Sequence, residues 1–143
     1  MSKGDTFEND LLKLIFNATA IANIADNAAT SPLTSLYVGL HTADPGETGN
    51  QSTNAATYGS YARVAVARTS GGWTVTNNSV APTAIVEFPA ATSGAGQVIT
   101  HFSIGTAASG AGKILYKGAL TSSITIATGT VVYFNQTLTI TED

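Results

Sequence analysis

With 143 residues, a net charge of −3 and no cysteine, the chain has length for one ordinary domain and excludes disulfides and thiolate metal centres. Only 10% of its residues are charged, against about 25% in an ordinary soluble domain, so its surface must be largely neutral and polar. Such a balance gives no electrostatic reason to bind nucleic acid, and it suits a protein that packs against copies of itself or other subunits.

The carboxylates are unevenly placed. Six of the nine, Asp5 to Glu47, fall in the first third, and Glu142 and Asp143 close the chain. Between Thr48 and Thr141 the only acid is Glu87, so most of the chain is empty of groups for acid–base work. The opening residues lack an uninterrupted apolar core, so no secretory leader is expected, and no run is long and apolar enough for a membrane span. The expectation is a protein made in the cytoplasm.

Residues Thr6 to Asp26 read as the one helix. Asp5 and Glu8 have the spacing of a capping box. Phe7, Leu11, Leu14, Ile15, Ala18 and Ile21 recur at helical spacing as an apolar stripe. Leu12, Phe16 and Ile24 lie off that stripe, which predicts either a helix lying in a groove of its own domain or one packed on two sides, the second against another subunit. Asp26, Asn27 and Pro32 are stop signals, so residues 1–32 form helix and connector and 33–143 the β body of a single domain.

Beyond Pro32 the period becomes two. Leu36, Val38 and Leu40 alternate with Tyr37, Gly39 and His41 as a first strand. Thr42 to Ser60 is a polar loop around Asp44-Pro45-Gly46, longer than an ordinary connection and therefore functional, contact-making or mobile. Eight further strands are predicted near residues 61–68, 73–76, 84–88, 98–104, 113–120, 123–127, 130–134 and 137–141, with Gly71-Gly72, Asn77-Asn78 and Thr128-Gly129 as turns. Nine short strands and one helix predict a mainly β, antiparallel sandwich of jelly-roll-like form.

Chemistry is sparse. Gly110-Ala111-Gly112-Lys113 is not a phosphate loop, because Ile114 stands where a Ser or Thr must bind magnesium. His41, Asp44, His101 and Glu47 are the best metal set available, yet His41 and Asp44 have ready local roles in a strand end and a turn. The aromatics, Trp73 and the tyrosines, could line a sugar site but suit core packing better. Arg63 and Arg68 flank Val64–Ala67 and read as interface or rim ion-pair partners. No catalytic residue, cofactor or metal is expected. The expected interface set is Phe7, Leu12, Phe16, Ile24, His41, Asp44, Arg63 and Arg68.

Leu36-Tyr37-Val38-Gly39-Leu40-His41-Thr42-Ala43-Asp44-Pro45-Gly46 and Tyr61-Ala62-Arg63-Val64-Ala65-Val66-Ala67-Arg68, with the preceding helix and Phe88-Pro89-Ala90, resemble small proteins of tailed-phage structural modules commonly labelled phage tail fibre proteins. The resemblance implies a virion structural protein. With no repetitive shaft encoded, the expectation is a capsid decoration (cement) protein, a homotrimer cross-linking the major capsid protein. The alternative is a tail-fibre or adsorption protein that meets a host glycan or receptor.

Overall fold

A computed structural model describes residues 5–21 and 32–142. Among them the chain is mainly antiparallel β with a single N-terminal helix, the class the sequence predicts. It divides into two compact units, each assembled from separated stretches.

The first unit gathers Met1–Ser35, Val66–Ile85 and Phe134–Asp143. Its helix α1 spans Asp5–Asn17, and its sheet is β3 (Trp73–Thr76), β4 (Ser79–Pro82) and β9 (Ile140–Thr141) in the order β3-β4-β9. Strands β3 and β4 form a hairpin in which Thr76 pairs with Ser79 across Asn77-Asn78. Asn77 takes a positive φ of 54°, a conformation that Asn tolerates better than most residues. The core is aromatic. Phe16 meets Trp73 edge-on with ring centroids 4.8 Å apart, and both are fully buried together with Leu12 and Val80.

The helix ends earlier than expected. Ala18 adopts a φ of 54°, the left-handed conformation that commonly ends a helix, and the Thr19 amide donates to the Lys13 carbonyl at 3.1 Å. Arg68 seals that end by donating to the carbonyls of Leu14, Ile15 and Leu33. A cation on the last free carbonyls also complements the helix dipole. Ile21 is still buried, but from outside the helix, so the apolar period outlasts the element it announces. The expected continuation to Asp26, Ile24 included, lies outside the described residues.

The second unit gathers Leu36–Ala65 and Val86–Tyr133. The four-stranded sheet has the order β2-β1-β6-β7, formed by β1 (Ser35–His41), β2 (Val64–Ala67), β6 (Val98–Gly105) and β7 (Ile114–Thr125). Val86–Glu87 (β5) and Tyr133–Phe134 (β8) make a separate pair. Alternation along β1 and β6 buries Leu36, Val38, Leu40, Phe102 and Ile104.

Two expected strands, 113–120 and 123–127, are one. Ile99 pairs with Ile124 and His101 with Ala119, so Leu120 to Ser123 bulge opposite Thr100 alone. The polar run Thr121-Ser122-Ser123 reads as a turn because those residues leave the ladder while the strand continues.

Candidate functional site

The sequence points to two places, the helix and the long loop. The helix presents its faces the other way round from the apolar stripe. Glu8, Leu12 and Phe16, one turn apart, form its buried face, while Phe7 is 40% exposed and Leu11, Leu14 and Ile15 are half-buried. Leu12 and Phe16 therefore fill the core of their own unit, as in the first of the two expected packings. An apolar count along the stripe hides this, because the buried row contains a carboxylate.

The loop from Thr42 to Ser60 is stitched down along its length. Thr42 donates to the Asn54 carbonyl and Ala56 to that of Leu40, each at 2.8 Å, and Gly46 donates to Asp44 Oδ1 at 2.9 Å in a local turn. At its centre Gln51 is buried and acts as an extra piece of backbone. Its own amide donates to the Gly112 carbonyl at 2.8 Å, its Nε2 to the Tyr37 carbonyl at 3.0 Å, and its Oε1 accepts from the Ala107 amide at 3.0 Å. A Cβ on Gly105 or Gly112 would collide with the Gln51 side chain, so those two glycines make the room it needs. Nothing in the sequence distinguishes Gln51 from its polar neighbours except that two glycines of a later hairpin face it.

His41 is fully buried beneath the same loop. Its Nδ1 bonds to the Thr53 carbonyl at 2.8 Å, which can only accept, so Nδ1 carries the proton and Nε2 accepts from the Ser103 hydroxyl at 2.7 Å. Burial holds the imidazole pKa below its ordinary value, and Arg63 and His101 push the same way, while the Thr53 carbonyl and Asp44 oppose. A His–Ser pair of this spacing can activate a nucleophile. Here Ser103 is also fully buried, so the pair locks loop to sheet.

Arg63 donates to the carbonyls of Ala107 at 3.0 Å and Gly110 at 2.8 Å, tying down the loop between β6 and β7. Arg63 and Arg68 thus both hold backbone of their own chain. Asp44 is exposed and pairs with Lys117 at 3.0 Å, and Glu47 reaches the same ammonium at 2.9 Å. Its bond from the Gly46 amide, with Lys117 next, lowers the Asp44 pKa, and the Glu47 and Asp44 carboxylates raise that of Lys117. Among the described residues no group of three or more His, Asp or Glu is placed to hold a metal.

Of Trp73 and the tyrosines, Trp73 and Tyr58 are buried, and Tyr133 is 59% exposed. Tyr61 accepts from the Leu40 amide at 2.8 Å, standing in for a ladder partner on β1. Burial raises the pKa of Tyr61 and pushes that of Tyr58 up to about 12.

The expected site residues therefore do not converge. His41, Asp44 and Arg63 brace the long loop and its neighbours, Leu12, Phe16 and Arg68 build the helix unit, and of the described ones Phe7 and the Asp44 carboxylate stand open. A family model, podophage GP4 fiber I protein gp80, matches residues 2–141. The chain belongs to this fibre-protein family. It is thereby a bacteriophage structural protein, a component of the virion, as the tail-fibre resemblance implies. No curated protein matches it. No helix among its described residues is long and apolar enough to cross a membrane.

Proposed function

We propose that this chain is a non-catalytic subunit of the tail fibre apparatus, holding its place by packing against copies of itself and other virion proteins. The match to a fibre protein over residues 2–141 carries the reading. The braced loop supports it, since a subunit under mechanical load needs connections that do not yield. The outer face of α1, with Phe7, Leu11 and Leu14, makes the attachment expected of Leu12 and Phe16. Each of these side chains is partly covered already, so burying the rest contributes less than the roughly 1.5–3 kcal/mol of a fully exposed one. A capsid decoration role is the second reading, favoured by the absence of a repetitive shaft in the sequence.

Deleting the gene from the phage separates the two. A fibre subunit leaves heads as heat-resistant as before and lowers adsorption to host cells. A cement protein leaves adsorption intact and lowers the temperature at which filled heads rupture. Particles normal in both respects contradict both readings.

A further inference from the structure

We infer that the outer face of the β5–β8 pair is a contact surface for a second copy of this chain, whose Lys113 segment it receives head to tail. The segments run antiparallel, since the Phe88 amide donates to the Val132 carbonyl and the Ala91 amide to the Thr130 carbonyl, each at 2.9 Å. Val86, Phe88 and Val132 are buried, so alternation puts Glu87, Val131 and Tyr133 together on the opposite side. Val131 is 41% and Tyr133 59% exposed. An aromatic ring and a branched aliphatic side chain sharing one exposed face leave apolar area that a partner can cover.

The charges of the second unit point to what covers it. That unit holds three acids, Asp44, Glu47 and Glu87, and three bases, Arg63, Lys113 and Lys117. Lys117 takes both Asp44 and Glu47, and Arg63 donates to two backbone carbonyls. One acid and one base remain, Glu87 and Lys113, both exposed and neither in an ion pair among the described residues. Lys113 stands immediately before β7, whose first residues Ile114 and Leu115 are only half-buried. Each unpaired charge therefore has apolar neighbours that its own chain leaves partly uncovered.

Twofold packing of this face on itself would set Glu87 against Glu87, and like charges at close range repel. Nucleic acid and anionic surfaces meet the same obstacle. The Lys113 segment of a second copy brings the opposite charge, and Ile114 and Leu115 give Val131 and Tyr133 an apolar counterpart. An exposed ion pair alone contributes little, so the apolar groups supply the attraction and the charges select which surfaces meet. A contact between two different faces repeats from copy to copy, closing into a ring or continuing as a file.

The inference rests on the reading that copies of this chain pack together, and it adds the two faces through which they do so. The test is sedimentation of the purified full chain over a range of concentrations, with circular dichroism to check that each variant folds. The wild-type chain should shift from monomer to larger species as concentration rises. Glu87→Lys, Lys113→Glu and Tyr133→Ser should each weaken association about tenfold. Glu87→Lys combined with Lys113→Glu should recover it, which a merely damaged surface would not do. Should a charge variant lose its fold, Tyr133→Ser decides, weaker association supporting the face and unchanged association overturning it. Association unchanged in a folded Glu87→Lys, or not recovered by the reversed pair, overturns this contact and leaves copies packing through another face. A wild-type chain that stays monomeric at every concentration overturns both the contact and the packing of copies.

Discussion

The two units bury polarity in opposite ways. In the second, His41, Gln51 and Ser103 lie deep beneath the long loop, and each has its hydrogen bonds met by named partners. In the first, Asn17 Oδ1 and Trp73 Nε1 are buried with no hydrogen-bond partner among the described residues, and Glu8 lines an open cleft. Tyr58 is the exception in the second unit, with a buried hydroxyl that no described group meets. Satisfied buried polar groups fix one arrangement, whereas each unmet one costs the solvation it has lost. The second unit is thus the better satisfied beneath its loop, and the first carries its unmet groups in its core.

The most severe way to break that contrast is Phe16→Ala. It removes the ring facing Trp73 and should cost about 3–5 kcal/mol. Hydrogen exchange should show the loss in β3, β4 and β9, with β1 and β6 still protected. Equal loss in both sets would mean that the units do not differ in this way.

Gln51→Leu comes next. It keeps the volume but leaves the Tyr37 carbonyl and the Ala107 amide without partners, at about 1–3 kcal/mol for each buried group left unmet. Urea unfolding should register it, and the loop should become open to proteolysis. A neutral result would show that the loop is held by its backbone bonds alone.

The pH dependence of the His41 lock is smaller. Its pKa is lowered in the fold, so the unfolded chain binds the extra proton first. Stability from this group is complete above the unfolded value of about 6.5 and is lost as pH falls below it toward the lower folded value. The urea midpoint should drop between neutral pH and mildly acidic pH, and His41→Gln should flatten that drop. An unchanged slope in the variant would remove His41 from the lock.

Lys117→Ala should do least. Its partners Asp44 and Glu47 are exposed, and such pairs contribute little and are screened by salt. A clear fall in stability at moderate salt would mean that the loop leans on this ion pair more than on Gln51 and His41.

Several of these features are legible in the sequence. The strand Trp73–Thr76 is, because Gly71-Gly72 and Asn77-Asn78 bracket an alternating run. Strand β1 is legible for the same reason, its period-two alternation being complete. Strand β4 is not, since Ser79–Pro82 offers one large apolar residue and ends on a proline. The helix end is hidden because Ala18, an excellent helix former, takes the left-handed turn usually given to glycine. Glu8 reads as part of a cap, since its spacing from Asp5 fits one and burial cannot be read from spacing. Gln51 is invisible because its role depends on glycines more than fifty residues away. What local pattern dictates can be read; what a long-range contact selects cannot.

The central claim, a subunit of the fibre apparatus, is tested most directly by placing the protein on the particle. Intact phage labelled with gold-conjugated antibodies to this chain should carry gold at the tail in electron micrographs. Gold spread over the capsid surface, or particles with none, would contradict the account.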